Sequence, residues 1–331
     1  MSKYSKWKCN DRTSWFQLTG TFITYIGLIL AAYQAYDFHF YLAIIASIAA
    51  GLVLVRLFIL QHDCAHHSFF TSHWLNRRVG LILGAFTLVP HHYWRRMHIL
   101  HHGSSGDLNR RGWGDILTLT VNEYHALSPI EKIKYQIYRN PIAILLFGPL
   151  YQFVLRFRWP GAAPAQFKKE RLSIVITNFL LLALHLAAFI CLNYTAFLII
   201  SLIITQVSAM IGIALFYVQH QIEEPYWTNN NNWSAQKAAL HGSTHFRLPL
   251  ALEWFLCSIN LHHVHHLKPG IVNYRLREYM IESGLENAGH TIYPRDVIPA
   301  FQLKLYDELT GAMVGFEGTK LNMNNPVKEA A

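Results

Sequence analysis

The chain has 331 residues, of which 52% are hydrophobic and only 14% are charged, and its formal net charge is +9 at pH 7. So few charged residues exclude an ordinary soluble protein and favour a chain embedded in a membrane. The four cysteines lack a CxxC spacing, which argues against a disulfide framework or a zinc ribbon. The first residues lack the pattern of a cleavable secretion signal, so insertion is expected to depend on internal segments.

Four apolar segments are each long enough to cross a hydrocarbon core of ~30 Å as a helix. They cover residues 18–36, 40–60, 172–192 and 196–217, and short turns join them into two hairpins. Residues 1–17 are expected to form a cytosolic N-terminal segment. Residues 18–302 are expected to form one membrane domain, and residues 303–331 a polar C-terminal tail.

Two shorter apolar stretches do not fit a straight span. Val79–Pro90 is too short, and Ile142–Leu155 is interrupted by Gly148 and Pro149. Both are better interpreted as interfacial or re-entrant segments. The predicted fold is therefore an all-α polytopic membrane protein. It has four transmembrane helices, interfacial or re-entrant helices, and a cytosolic helical cap that binds metal.

The distribution of lysine and arginine predicts the orientation of the chain. Residues 61–171 hold 14 of the 28 basic residues and the part after Tyr217 holds nine, whereas the two short connecting turns hold none. By the positive-inside rule, both hairpin turns point outward and the remaining loops are cytoplasmic.

Three histidine clusters stand at the predicted cytoplasmic ends of these segments, and 13 of the 20 histidines fall in 62–102 and 262–266. They read HDCAHH from His62, HILHH from His98, and HHVHH from His262. Spacings of three and four residues stack imidazoles on one face of a helix, within reach of a common metal. Imidazole suits iron, zinc, copper or nickel, so the ligand type leaves the metal open. A non-enzymatic metal transporter is one alternative interpretation of these clusters. A transporter would place its ligands near the bilayer midplane on discontinuous helices, with paired carboxylates, whereas these histidines lie at the ends of the segments.

At these residues the chain resembles the membrane fatty acid desaturase family, and bacterial acyl-lipid desaturases in particular. The resemblance rests on HDCAHHSFF, on the segment His91–Gly112, on FYVQHQIEEPYW from Phe216, and on NLHHVHHLKPGIVNY from Asn260. It covers residues 62–276, including the spacing between the boxes.

The resemblance implies a di-iron centre with histidine ligands and O2 as co-substrate. Relatives with HxxxxH ligate through its first and last histidines, which correspond to His62 and His67, and His66 is then a ligand or a neighbour of one. The implied candidates are ten histidines: His62, His66, His67, His98, His101, His102, His220, His262, His265 and His266.

The implied activity is desaturation of lipid-linked acyl chains in a bacterial cytoplasmic membrane, with the site on the cytosolic side. The alternative is a membrane di-iron hydroxylase or ketolase that acts on an alkane, an acyl chain or a carotenoid. Because the sequence carries no dinucleotide fingerprint, CxxC cluster or fused cytochrome b5 pattern, electrons are expected from a separate ferredoxin or flavodoxin-like donor and its reductase. No nucleic-acid partner is expected.

Overall fold

The computed structural model describes residues 5–228 and 230–317, and within them it confirms the predicted helical fold. Short strands add a few pairings between segments that are distant in sequence. The helices are α1 Asp11–Ala35, α2 Phe40–Ala65, α3 His73–Phe86, α4 His91–Ser104, α5 Val121–Ala126, α6 Pro129–Tyr138, α7 Lys168–Cys191, α8 Tyr194–His220, α9 Ala235–His241, α10 Leu250–Phe255, α11 His262–Leu267, α12 Asn273–Glu282 and α13 Val297–Ala300. The strands are β1 Leu119–Thr120, β2 Thr244–Phe246, β3 His290–Ile292, β4 Leu305–Asp307 and β5 Ala312–Val314.

Four of these helices, α1, α2, α7 and α8, are long and apolar enough to cross a membrane. Each corresponds to one predicted span, and all four extend beyond it into polar residues at one end. The helix α1 begins at Asp11, where the side chain of Asn10 accepts a hydrogen bond from the Arg12 N–H at 3.0 Å. The helices α2 and α8 continue to Ala65 and His220, so they carry the first histidine box and the lone histidine beyond their apolar parts.

The two hairpin turns meet at one end of the bundle. The N–H of Asn193, in the turn between α7 and α8, donates to the hydroxyl of Tyr33 near the end of α1 at 2.5 Å. At its middle, α2 lies so close to α8 that a Cβ on Gly51 would stand 2.9 Å from Cβ of Val207. This close contact keeps α2 and α8 side by side, so their C-terminal histidines lie together at the opposite end.

The apolar segment 142–155 does not form a straight helix. It consists of π-helical turns at Ala143–Phe147 and Leu150–Leu155, and its direction differs by 67° from that of α6. This is the geometry of a broken span or a re-entrant segment. At the bend lies Arg139, which is fully buried and donates to the Tyr217 hydroxyl at 3.1 Å and to Gln221 Oε1 at 2.7 Å. The bend is thereby fixed against the end of α8.

The last described residues are packed against the rest of the protein. Strand β4 pairs in parallel with β1 and antiparallel with β5, and Leu305, Tyr306 and Asp307 are all buried. Ordered structure therefore extends at least to Val314, beyond residue 303 at which the tail was predicted to begin. Residues 318–331 of that predicted tail lie outside the described residues.

Candidate metal centre

Three helices and the end of a fourth deliver the histidines to one region. Helix α2 runs past its apolar part to His62, and α4 presents His98, His101 and His102 on neighbouring turns. The short helix α11 presents His262, His265 and His266. His220 ends α8. Pairs four residues apart, His62 with His66 and His262 with His266, stay together as predicted. Pairs three apart, His98 with His101 and His262 with His265, face different groups and do not share one metal position.

One group of four imidazoles, which we call site A, consists of His62, His66, His98 and His265. One ligand nitrogen from each residue lies within 4.8 Å of those of the other three. The Nε2 atoms of His62 and His98 are 3.0 Å apart, and the ring centroids of His62 and His265 are 4.4 Å apart. The indole of Trp94 stacks on His98 at 4.5 Å and closes one side of the group.

A second group, which we call site B, consists of His101, His220, His262 and His266, and its ligand nitrogens also lie within 4.8 Å of one another. The Nε2 atom of His220 is 2.9 Å from that of His262 and 3.2 Å from that of His101. His262 Nε2 is in turn 3.2 Å from His266 Nε2.

His102 lies between the two sites. Its Nε2 atom is 3.0 Å from His98 Nε2 and 3.1 Å from His265 Nε2, both in site A. Its ring also stacks on His266 of site B, with centroids 4.1 Å apart. Nine of the ten predicted histidines therefore lie in one continuous cluster.

His67, the tenth candidate, lies apart from both sites. It follows the end of α2 and has a left-handed backbone with φ 58°, which directs its side chain away from His66. Its ring instead packs 4.7 Å from that of His73. In the first histidine box, HDCAHH, His62 and His66 therefore belong to the cluster and His67 does not.

Hydrogen bonds made by the distal ring nitrogens show which nitrogens are free to bind a metal. The Nδ1 atom of His62 faces the carboxylate of Asp63 at 3.2 Å, and Nδ1 of His220 faces the carbonyl oxygen of Gly242 at 3.1 Å. Because a carboxylate and a carbonyl only accept, both Nδ1 atoms carry the proton and both Nε2 atoms present a lone pair.

The residues present fit a metal in each site. His66 Nε2 is buried and has no hydrogen-bond partner among the described residues. Two imidazole nitrogens that each bind one metal at ~2.0–2.1 Å, with a nitrogen–metal–nitrogen angle near ~90°, lie ~3 Å apart. The Nε2–Nε2 distances of 2.9–3.2 Å between neighbouring histidines match that spacing. Lone pairs this close, pointing at a common centre, repel one another unless a cation lies between them.

Burial keeps the cluster neutral, as metal binding requires. Removal from water, and then the neighbouring imidazoles, lower the pKa of these histidines well below the ordinary value: His66, His98, His101, His262, His265 and His266. The same causes lower the pKa of His102 to about 3. Neutral imidazoles offer their lone pairs to a metal with little competition from protons.

A small cavity borders site B. His101 and His220 form part of its wall together with apolar groups, among them Phe216, Ile116 and Trp227. The Phe216 ring lies 5.2 Å from that of His101 and 5.0 Å from that of His220. An apolar chain that entered this cavity would therefore meet site B next to Phe216.

Comparison with known proteins agrees with this arrangement. The fatty acid desaturase family model matches residues 38–295, which include both sites. The chain belongs to the fatty acid desaturase family. Members of this family are oxidoreductases, and the present member is accordingly an enzyme.

Individual relatives of this family member are similar over most of its length. The fatty acid desaturase of Bacillus subtilis is 38% identical over 93% of this chain and 87% of its own. An sn-1 oleoyl-lipid 12-desaturase of Synechocystis is 28% identical over 81% of this chain and 74% of its own. A chloroplastic sn-2 acyl-lipid omega-3 desaturase (ferredoxin) of Arabidopsis thaliana is 28% identical over 70% of this chain and 52% of its own.

Sequence reasoning missed several groups that support the histidines of this desaturase. Gly242 contributes only a backbone carbonyl, and no side-chain pattern signals that role. Asn273 binds Asp63, and it lies in the NLHHVHHLKPGIVNY segment, seven residues beyond the last histidine. Trp94 lies one turn before His98, a spacing that could have suggested its stacking.

Proposed function

We propose that this family member is an O2-dependent desaturase that introduces a double bond into lipid-linked acyl chains at a di-iron centre formed by sites A and B. The observation that carries the proposal is the adjacency of two buried four-imidazole groups with His102 between them. Eight of the candidate ligands belong to these groups, and His102 is the ninth. His67 is left out because its ring packs on His73 instead.

Iron, rather than zinc, is proposed because of the reaction. Removal of two hydrogens from an unactivated methylene pair needs an oxidant stronger than any side chain, and bound iron with O2 supplies it. The chain itself contributes a buried ligand set, apolar walls and an orientation for the substrate. Phe216 and the apolar part of the small cavity beside site B would contact the acyl chain next to His101 and His220.

The protein is proposed to be a multi-pass membrane protein with both sites on the cytosolic side of a bacterial membrane. The histidine cluster lies at the C-terminal ends of α2 and α8, opposite the turns that Tyr33 and Asn193 join. Those turns contain no lysine or arginine, so the positive-inside rule places them outside and the cluster inside.

A separate acidic electron carrier, such as a ferredoxin, is the proposed reductant. Arg77, Arg78 and Arg96 are exposed, and Arg95 donates from Nε to the carbonyl of Ala65 at 2.7 Å, one residue before His66. Among the described residues, no ion pair joins these arginines to an acid. Free positive charge beside site A would steer an acidic partner there. The Arabidopsis relative, whose name includes ferredoxin, supports this class of donor.

The test is gas chromatography–mass spectrometry of fatty acid methyl esters from host membranes that express the chain with a ferredoxin and its reductase. New unsaturated species are expected with the wild type and not with His265→Ala. The matched control is His39→Ala, in the turn at the opposite end of the bundle, which should give the wild-type products. Hydroxylated or ketone products from the wild type would contradict desaturation and assign an oxygenase reaction to the same site. Absence of any product from a well-expressed, donor-supplied chain would refute the proposal.

A further inference from the structure

We infer that the two metal positions differ electronically. A chain of hydrogen bonds runs from Gln17 through Asn273 to the carboxylate of Asp63, and it acts on site A alone. The inference rests on the proposed di-iron centre and concerns the residues behind its ligands. It assigns Asp63, Asn273 and Gln17 as positioning residues.

The end of this chain next to site A is Asp63, a carboxylate that is only 4% exposed. Its Oδ1 atom accepts from His62 Nδ1 at 3.2 Å. Its Oδ2 atom accepts from the backbone N–H of Asn273 at 2.9 Å and from Asn273 Nδ2 at 2.8 Å. The ion pairs of the described residues give Asp63 no lysine or arginine partner. Its negative charge is therefore available to the imidazole of His62.

The orientation of Asn273 is fixed from the other side. Gln17 Nε2 donates to Asn273 Oδ1 at 2.9 Å, and Asn273 Nδ2 donates to Gln17 Oε1 at 3.2 Å. Two amides paired in this way must be assigned together, and because Asp63 Oδ2 only accepts, the Asn273 group that faces it is the NH2. Helix α1, which holds Gln17 and carries no histidine, thus acts on site A through two hydrogen-bonded side chains.

Site B has a neutral counterpart. The Nδ1 atom of His220 donates to the carbonyl oxygen of Gly242 at 3.1 Å. The Nδ1 atoms of His101 and His262 are buried, and neither has a hydrogen-bond partner among the described residues. The polarisation of site B ligands therefore comes from a dipole, whereas that of site A comes from a full charge.

A carboxylate behind an imidazole raises its basicity and strengthens its bond to a metal, and the effect is larger in a dry site. A more basic ligand favours the higher oxidation state of iron. We therefore expect site A to bind iron more tightly than site B and to be reduced at the lower potential.

The experiment uses the iron-loaded, detergent-purified chain, with 57Fe Mössbauer spectra, graded chelation and a reductive titration. The wild type should show two distinct iron environments. Asp63→Asn removes the charge and should weaken the binding of the iron in site A by about 10–100-fold, the usual cost of losing such a partner. It should alter the spectrum of that iron only and raise its potential.

A second variant separates electronic tuning from loss of structure. Asn273→Leu keeps the backbone N–H but removes the side-chain donor from Asp63 Oδ2. The carboxylate then polarises His62 more strongly, so the potential of the same iron should fall, opposite to Asp63→Asn. The control is Glu278→Gln on α12, a half-buried acid paired with Arg275, which makes the same change in charge and should leave both irons unchanged.

Three outcomes would overturn the inference: identical irons in the wild type, equal changes at both irons in Asp63→Asn, or potential shifts of one sign in both variants. None of these outcomes depends on substrate turnover, so a chain that binds two equal irons and desaturates lipid refutes this inference alone. A chain that binds no iron refutes the proposed function as well.

Discussion

Sites A and B have the same number of imidazoles but different surroundings. Site A takes its ligands from α2, α4 and α11, with a carboxylate behind His62 and the ring of Trp94 on His98. Site B lies at the end of α8 beside a small cavity, with a backbone carbonyl behind His220 and the ring of Phe216 against two of its ligands. Similar ligands thus have a carboxylate behind one of them in site A, and a backbone carbonyl behind one of them and a small cavity beside them in site B.

The difference suggests a division of labour. A metal in the polarised site A would be the harder of the two to reduce, and the arginines near His66 would steer an acidic electron carrier to that side. The site beside the small cavity, which Ile116 and Phe216 line in part, suits contact with an acyl chain. Four tests would break or sharpen this comparison.

The largest effect is expected from the loss of one ligand in each site. His98→Ala should remove the iron of site A and His101→Ala that of site B, and each should lower desaturation by more than the ~100-fold that loss of a ligand's partner can cost. Iron analysis should give one equivalent per chain in each variant, with different Mössbauer spectra. Loss of both irons in either variant would show that the sites cannot be loaded separately.

His102 and His67 form the next pair, because both were candidate ligands and only His102 lies between the sites. His102→Ala should weaken binding of both irons, and the activity should fall by at least ~10-fold. His67→Ala should leave the iron content at the wild-type value, since its ring packs on His73. Equilibrium dialysis with iron measures both. A fall in iron content in His67→Ala would restore His67 as a ligand.

A moderate effect is expected at the cavity. Phe216→Trp adds volume beside His101 and His220 without touching site A, and overfilling a packed position costs about 1–3 kcal/mol. We expect kcat/KM for the acyl substrate to fall while the iron content stays at two per chain. Steady-state kinetics with metal analysis checks this. Unchanged kinetics would exclude the cavity as the substrate route.

The smallest effect is expected from a change that acts on both sites equally. A Cβ on Gly80 of α3 would stand 2.2 Å from the ring of the buried His91, so Gly80→Ala should displace the start of α4 and destabilise the protein by about 1–3 kcal/mol. Thermal unfolding in detergent measures this. Gly20→Ala has nothing within 4 Å of the added Cβ, and its melting temperature should match the wild type.

The sequence by itself determined the elements and the ligand type. Apolar runs of about 20 residues can be accommodated only as helices in a membrane, and all four spans were predicted because this signal depends only on local composition. The spacings within HILHH and HHVHH determined which histidines share a helix face. The family resemblance then supplied the candidate set of ten histidines and the reaction.

Only the tertiary structure decided how the histidines divide between two sites. Members of one box are split, since His98 belongs to site A and His101 to site B, and His265 and His262 divide in the same way. Residues three apart on a helix differ in direction by enough to face two neighbouring centres, and which centre each faces depends on how α4 and α11 pack. His67 leaves the cluster because the chain turns at a positive φ directly after α2. Asn273 and Gln17, far apart in sequence, reach Asp63 only because α1 and α12 meet beside α2, and no linear pattern encodes that meeting.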